Sequence, residues 1–474
     1  MSTIFDNPNN KSKCQKFTPK NMVETLLNIA GYNANLRGKR VLENSFGSGN
    51  VLEAIVRHYI LDSINQNVAP QDISNNLSND IFGIELDEVL FHQCRVRLDK
   101  LVEDFGIPKV NWSLYNDNAL TWQTTHYFDY IIGNPPYINY KEIDADSKQF
   151  IRETFSSCSN GKFDYCYAFI ERSISLLTPT GKLVQLVPAN IYKNVFGENL
   201  RNLLQTNIRT INEYPDQKLF DGTLTSSTIF LFDLAYTSPE VEYNNITDGY
   251  STKISRTSLR GKWMFQSSDL GNKELVRFGD CFHASIVVAT LLNKAYILSK
   301  EEIQAGSFEG AVIRKAASPK MLRKKAEEYI IFPYYYSHDG LCRFPKNEFE
   351  QRYPNAAMHL KGYLLELNKR DKDATAQWFE YGRSQALAHL NQPKLLLSTV
   401  ITNSVEIYQL DSDTIPYSGI FITVKNSDYT LDDAKRILQS HQFLSYVKSL
   451  GISVSGKSKR ITCKDINNYC FVKE

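Results

Sequence analysis

The chain has 474 residues, 42% hydrophobic and 12% aromatic, with a formal net charge of +2, so it can bury large cores and does not have a disordered composition. It contains no apolar run of about 20 residues and no apolar segment near Met1, so we predict neither a membrane span nor a secretion signal. The eight cysteines form no CxxC pair and the eight histidines no HExxH spacing, so we expect no metal, no disulfide framework and a cytoplasmic location.

The first half of the chain alternates short apolar strands with helical patterns. Strands are predicted at Arg40–Glu43, Asp80–Glu85, Phe128–Ile132, Lys182–Val187 and Ser227–Leu234. A helix over about 50–61 follows the first strand, and a helix that extends to about residue 102 follows the second. This order predicts an α/β fold with a parallel, doubly wound, Rossmann-like sheet, which binds ligands outside the carboxyl ends of its strands. The polar segment Ile64–Asn79 is predicted to be a surface loop, and the composition change at Pro239–Tyr250 a linker. We therefore expect two domains, 1–245 and 246–474, the second of mixed α/β structure.

The tetrapeptide Asn134-Pro135-Pro136-Tyr137 directly follows the apolar strand that ends at Gly133. The Asn134 side-chain oxygen and the Pro135 carbonyl are two acceptors that can take both hydrogens of a planar amine. Such acceptors localise the lone pair of a poor nucleophile, and they stabilise the charge that develops when the amine is alkylated. Pro136 stiffens the loop, and Tyr137 offers an aromatic face to a base. The pattern predicts N-methylation of an exocyclic amine such as adenine N6.

Acidic and glycine-containing turns follow the first three strands. Glu43-Asn44-Ser45-Phe46-Gly47-Ser48-Gly49 suits close backbone approach to a ligand that carries an amino group and a sulfonium. Glu85, followed by Leu86, ends the second strand, where a carboxylate can accept both ribose hydroxyls. Asp117, followed by Asn118, is placed to accept from an adenine amine. Together these turns predict a site for S-adenosyl-L-methionine.

Taken in order, these residues resemble the gamma-class, TaqI-like adenine-N6 DNA methyltransferases of type II restriction–modification systems, over about residues 14–235. The resemblance implies that Phe17–Lys20 is a cofactor motif, with Thr18 and Pro19 near the methionine moiety and Phe169 on the cofactor adenine. It also implies that the target adenine flips out of the duplex. Phe232, with Phe230 second, would then stack on that base together with Tyr137. Asn44 and Phe46 depart from the family pattern, which often has a proline at the first position and a small residue or cysteine at the second.

The resemblance further implies a C-terminal domain that recognises the DNA target. Residues 1–250 carry 22 Lys and Arg against 29 Asp and Glu, a net of −7, whereas residues 251–474 carry 32 against 23, a net of +9. Arg383 and Gln385 are of the types that read base edges, and Lys457, Lys459 and Arg460 suit phosphates. We expect a monomer that acts on double-stranded DNA, with a cognate restriction endonuclease as the further partner implied by the class.

Other interpretations use the same tetrapeptide. An RNA adenine methyltransferase or a protein glutamine-amide methyltransferase acts on a substrate with the same kind of planar amine. A catalytically silent DNA-binding subunit could keep the fold, although the intact Asn134–Tyr137 argues against it. No convincing nuclease motif accompanies these parts.

Overall fold

The computed structural model describes residues 18–215, 226–265, 275–338, 340–454 and 458–473. The chain divides into two compact units, residues 1–267 and 268–474. Within the described ranges, no helix combines the length and apolar character that crossing a membrane requires.

The first unit is built on helices that alternate with strands. Its helices are α1 Lys20–Ala30, α2 Asn50–Asn65, α3 Pro70–Asp80, α4 Glu88–Asp104, α5 Ala145–Thr154, α6 Cys166–Ser175 and α7 Glu198–Gln205. Its strands are β1 Val41–Glu43, β2 Ile81–Glu85, β3 Ser113–Asn116, β4 Phe128–Gly133, β5 Leu177–Pro188, β6 Ile208–Tyr214, β7 Ser227–Asp233, β8 Glu240–Asn245 and β9 Tyr250–Ser255. The five predicted strands and the predicted helices are therefore confirmed to within a few residues at most ends.

The described strands of this unit form one sheet in the order β3-β2-β1-β4-β5-β7-β6-β8-β9. The pairs among β1 to β5 are all parallel, whereas β7 is antiparallel to both β5 and β6, and β9 is antiparallel to β8. The α/β class is confirmed, but an entirely parallel sheet is wrong. Parallel neighbours need a crossover, and no described helix separates β6 from β7 or β8 from β9.

Both faces of the sheet are covered by hydrophobic cores. Alternate residues of each central strand point to opposite faces, so Leu42 and Ile131 join one core while Val41 and Ile132 join the other. α6 and α7 pack on the first core, and α1 to α4 on the second. This burial on both faces explains why β4 is almost wholly apolar.

The predicted surface loop Ile64–Asn79 is wrong. Most of this segment lies in α3, which has Pro70 in its first turn, a favoured position for proline. Ile73 and Leu77, four residues apart, are its buried apolar positions. Its remaining Asn, Gln, Asp and Ser residues largely hide this amphipathic pattern in the composition.

The predicted linker Pro239–Tyr250 is also wrong. Residues 240–245 form β8, which pairs with β6, and β9 follows after a short turn. Val241 is buried, and Tyr243 stacks on Phe265 with ring centroids 4.4 Å apart. The first unit therefore extends past the predicted boundary at residue 245.

The second unit combines small sheets with short helices. Its helices are α8 Phe278–Cys281, α9 Asn293–Tyr296, α10 Lys300–Gly306, α11 Pro319–Arg323, α12 Lys346–Arg352, α13 Pro354–Lys361, α14 Leu364–Asn368, α15 Leu431–Leu438, α16 His441–Leu450 and α17 Cys463–Asn467. Its strands are β10 Leu275–Arg277, β11 Phe282–Ile286, β12 Ile297–Ser299, β13 Ile313–Ala317, β14 Glu328–Ile331, β15 Tyr334–Ser337, β16 Gly340–Arg343, β17 Lys394–Leu397, β18 Val400–Ile401, β19 Ile407–Leu410, β20 Ile415–Pro416, β21 Ile420–Val424, β22 Ile452–Ser453, β23 Lys459–Arg460 and β24 Cys470–Val472. The expected mixed α/β character is observed.

Candidate active site

A cavity lies where the carboxyl ends of β1, β2 and β4 meet, at the edge of the sheet predicted to bind ligands. Its walls combine carboxylates, amides, prolines and aromatic rings. The lining residues are Asn44, Ser45, Gly47, Glu85, Leu86, Asp87, Leu90, Asp117, Asn118, Ala119, Asn134, Pro135, Pro136, Tyr137, Tyr165 and Phe169. The structure thus brings together the predicted tetrapeptide and most of the predicted cofactor residues.

Glu85 is held by two backbone donors on opposite sides of its carboxylate. The Gly47 N–H donates to Oε2 at 2.7 Å, and the Asp87 N–H donates to Oε1 at 2.9 Å. Burial raises the pKa of Glu85, and these two hydrogen bonds oppose that shift. The glycine loop after β1 and the turn after β2 therefore orient this acid together.

Asn44, at the position where the resembling family has a proline, belongs to a buried polar cluster. Its Nδ2 donates to Ser173 Oγ of α6 at 2.9 Å, and Ser173 Oγ donates to the Phe169 carbonyl at 2.7 Å. Gln185 of β5 also donates to Ser173 Oγ, at 3.4 Å. Asn44 and Phe169 line the cavity, so this cluster ties two of its walls together.

Four predicted cofactor residues do not line the cavity. Glu43 is 2% exposed, and burial, with the nearby Glu85 carboxylate, raises the pKa of its carboxyl well above the usual range. Thr18 is buried and, with Pro19, precedes α1. Gly49 has φ +86°, and a Cβ there would lie 2.3 Å from Cys94 Sγ, so this glycine permits close packing of α2 against α4.

The tetrapeptide is fixed to neighbouring elements. Asn134 Nδ2 donates to Thr18 Oγ1 at 3.1 Å, which gives Thr18 an orienting role, and Ser45 Oγ donates to the Asn134 carbonyl at 3.3 Å. The Tyr137 hydroxyl donates to the Leu186 carbonyl of β5 at 2.6 Å, and burial raises the pKa of this phenol. The tyrosine is therefore anchored through its hydroxyl while its side chain contributes to the cavity wall.

The aromatic end of the cavity holds Tyr165, which the family resemblance placed in a motif without giving it a role at the site. Tyr165 and Phe169 have ring centroids 5.4 Å apart, and both line the cavity. Their spacing of four residues, at the start of α6, is the signal that could have identified the pair. Asp87, Leu90 and Ala119 also line the cavity without having been predicted; they directly follow or adjoin the predicted acidic turns.

Phe232 is wrong as a stacking residue in this structure. It is 1% exposed, and Phe230 is fully buried; both belong to the core that packs on one face of the sheet. Ile229 and Leu231 of the same strand belong to the core on the other face, so β7 is covered on both faces. The aromatic side chains of this strand therefore belong to the packing of the core.

The predicted DNA-contacting residues lie in the second unit. Arg383 forms ion pairs with Asp371 at 2.8 Å and Asp373 at 3.2 Å, so its guanidinium supports its own loop. Gln385 and Arg460 are exposed, and Lys459 is partly exposed on β23. Lys457, like Phe17 of the N-terminal motif, lies outside the described residues.

The residues around the cavity fit the predicted cofactor by the chemistry of their donor set. Carboxylates suit ribose hydroxyls and a cationic amino group, while Tyr165 and Phe169 suit a planar adenine. Glu43 Oε2 is buried and makes no hydrogen bond to any described residue, which adds an unused acceptor behind the glycine loop. No part of this set favours a pyrophosphate, because the acids would repel it.

A model of the Eco57I restriction-modification methylase family matches residues 52–220. The chain is 31% identical over 275 residues to the type II methyltransferase M.BstVI of Geobacillus stearothermophilus, covering 55% of this chain and 49% of that protein. It is 22% identical over 340 residues to the type II restriction enzyme and methyltransferase RM.Eco57I of Escherichia coli, covering 61% of this chain and 34% of that one. The chain thus spans half or less of the length of these relatives.

The fold is similar to that of the type IIL restriction-modification enzyme MmeI, solved in complex with DNA. That likeness covers 95% of this chain and 64% of that chain, with a TM-score of 0.62 and 14% sequence identity. The resemblance to restriction–modification methyltransferases that the motifs indicated is confirmed, and the α/β methyltransferase fold with it.

Proposed function

We propose that the chain is an S-adenosyl-L-methionine-dependent DNA methyltransferase that modifies adenine N6, with the gamma-class order of motifs. The observation that carries the proposal is the single cavity that joins the Asn134–Tyr137 tetrapeptide to Glu85 and Asp117. The type II methyltransferases named above support DNA as the substrate class and restriction–modification as the biological setting. A cognate endonuclease acting on the same site belongs to the same proposal.

The cofactor supplies an electrophilic methyl group on a sulfonium. Glu85 would accept hydrogen bonds from the ribose hydroxyls, since Gly47 and Asp87 already fix its orientation. Asp117 and Asn118 would accept from and donate to the adenine edge, beside the rings of Tyr165 and Phe169. Glu43, buried behind this loop, would offer its Oε2, which has no partner among the described residues, as a hydrogen-bond acceptor to the cationic amino group.

Asn134 and Pro135 would act on the substrate amine. The bond from Asn134 Nδ2 to Thr18 turns the amide so that its oxygen is the atom suited to accept from the amine. With the Pro135 carbonyl as the second acceptor, both amine hydrogens are held, and the nitrogen lone pair is directed at the methyl group. This activation needs no nucleophilic side chain.

The target base would enter the cavity flipped from the duplex, against the face of Tyr137. Flipping costs a few kcal/mol, and stacking of about 1–3 kcal/mol per base offsets part of that cost. Because Tyr137 is anchored to Leu186, its ring loses little freedom when a base stacks on it. The second unit, with its excess of positive charge, is proposed to recognise the DNA sequence.

Methyl-transfer assays on matched substrates test the proposal. A duplex DNA library, an RNA of the same sequences and a glutamine-containing peptide would each be incubated with enzyme and labelled cofactor. We expect label in duplex DNA, recovered as N6-methyladenine after nuclease digestion. Label in RNA or peptide alone would favour the alternative substrates, and cofactor binding with no transfer to any of them would favour a silent subunit.

A further inference from the structure

A basic and aromatic surface patch adjoins the candidate active site on the first unit. Tyr140 lies three residues after Tyr137, and both rings pack against the same hydrophobic core. Lys148 Nζ lies 4.8 Å and Arg152 Cζ 5.7 Å from the centroid of the Tyr140 ring. The exposed side of α5 therefore places two cations on an aromatic ring next to the catalytic loop.

Phe196 extends this surface. A Cβ on Gly161 would lie 2.0 Å from the Phe196 ring, so the ring rests directly on that glycine. Arg152 Nη2 donates to the Gly161 carbonyl at 2.7 Å and to the Tyr140 hydroxyl at 3.1 Å. We call these contiguous residues, Tyr140, Lys148, Arg152, Gly161 and Phe196, the Tyr140–Phe196 patch.

The exposed apolar residues of the patch are held in place. Phe196 is 42% and the neighbouring Val195 51% exposed, on a short helical turn that follows β5. The Asn194 N–H donates to the Asn190 carbonyl at 2.7 Å, and Arg201 Nη1 donates to the Asn194 carbonyl at 2.8 Å. Two large apolar side chains kept in water on a braced turn indicate a contact surface.

The two cations of the patch are not paired with carboxylates of the described residues. Among the described residues, neither Lys148 nor Arg152 makes an ion pair with a carboxylate. Two acids of this segment hydrogen-bond to other groups: Asp144, which caps α5, accepts from the Ser147 N–H, and Glu153 accepts from Gln149. Both cations are therefore available to pair with an anionic group from outside the chain.

We propose that the Tyr140–Phe196 patch binds the DNA strand that carries the target base, with Lys148 and Arg152 on phosphates and Phe196 against a base or sugar face. Cations interleaved with aromatic rings are the chemistry that holds an unstacked strand. The inference rests on the proposed function and adds to it a DNA surface on the acidic, catalytic unit.

The test measures binding of a methylatable duplex by the full chain over a series of salt concentrations. Lys148→Ala and Arg152→Ala should each weaken binding and lower the slope of log K against log salt by about 1, because each removes one phosphate contact. Phe196→Ala should weaken binding by at least about 5-fold with an unchanged slope, because stacking is not ionic. Arg152→Lys should keep the wild-type slope.

Lys100→Ala provides the matched control, since Lys100 is exposed on α4, which packs on the opposite face of the sheet. Cofactor affinity should be unchanged in all variants, which separates a lost DNA contact from misfolding. Wild-type affinity and slope in Lys148→Ala and Phe196→Ala would overturn the inference while leaving methylation by the wild type intact. A wild type that transfers no methyl group to DNA would instead overturn the proposed function, and this inference with it.

Discussion

Replacing Ser173 by alanine removes the hydroxyl at the centre of the buried cluster beneath the cavity. Ser173 is fully buried, and its Oγ accepts from Asn44 at 2.9 Å and from Gln185 at 3.4 Å. The variant leaves the amide of Asn44, a residue that is 3% exposed, without this acceptor. We therefore expect both the stability of the fold and the position of the Asn44 side chain to change.

The magnitude follows from the bonds that are lost. A buried donor without its acceptor costs about 1–3 kcal/mol, and the longer Gln185 contact adds less than a full bond. The free energy of unfolding should therefore fall by about 2–3 kcal/mol. Because Asn44 and Phe169 line the cavity, the affinity for S-adenosyl-L-methionine should fall as well.

Urea denaturation and calorimetric titration of the cofactor measure both effects. Ser175→Ala is the matched control, since this exposed serine on the same helix donates only to the Arg172 carbonyl, at 2.7 Å. The control should change the free energy of unfolding by less than about 0.5 kcal/mol. Equal losses of unfolding free energy in the two variants, or no such loss in Ser173→Ala, would refute the role given to the cluster.

Three further substitutions test separate parts of the site. Asn134→Ala should lower the methyl-transfer rate by about 100- to 1,000-fold while cofactor affinity stays nearly unchanged, as steady-state kinetics and titration would show; near wild-type turnover would contradict amine activation. Gly49→Ala should lower the free energy of unfolding by about 2–4 kcal/mol, because its Cβ would meet Cys94 Sγ at 2.3 Å and its φ is +86°. Adding Cys94→Ala should restore only part of that stability, and full restoration would exclude a backbone contribution. Glu43→Gln tests a pH dependence, because burial, and secondarily the Glu85 carboxylate, raises the pKa of Glu43 in the folded chain. The contribution of protonated Glu43 to the free energy of unfolding is fully present below about pH 4.3, the pKa of an unperturbed glutamate, and is lost as the pH rises through the folded-state pKa. As the pH rises above about 4.3, the free energy of unfolding of the cofactor-free variant should therefore fall less than that of the cofactor-free wild type. Free energies of unfolding that change in parallel with pH in the two proteins would contradict this.

The parts of the fold that the sequence predicts are those in which local pattern and tertiary burial agree. β4 is apolar apart from Asp129 because it is covered on both faces, and the turns after β1 and β2 carry polar residues because they face the cavity. Asn134 follows β4 directly, so its place at the carboxyl edge could be inferred from the strand alone.

Where prediction failed, tertiary contacts decided the outcome. α3 has too few apolar residues for composition to reveal it, because only Ile73 and Leu77 reach the core. β8 looked like a linker because alternate positions of an outer strand are polar, with Val241 and Tyr243 alone buried against the sheet. Phe232 could not be assigned from spacing, since a strand aromatic that faces a core and one that faces a ligand have the same periodicity.

The second unit shows a further limit of sequence patterns. Arg383 was predicted to read a base edge from its residue type and neighbours. In the structure Asp371 and Asp373 bind its guanidinium, and their positions 10 and 12 residues before it gave no local signal. Its contact with DNA stays a prediction, as do those of Gln385, Lys457, Lys459 and Arg460.

Sequencing modified bases in cellular DNA tests the central claim most directly. The gene and its Asn134→Ala variant would be expressed separately in a host without adenine methyltransferases, and genomic DNA would be read by a method that detects N6-methyladenine. The proposed function predicts N6-methyladenine at one recurring sequence with the wild type and little or none with the variant. Unmodified adenines in both samples, with equal amounts of folded and cofactor-binding protein, would contradict it.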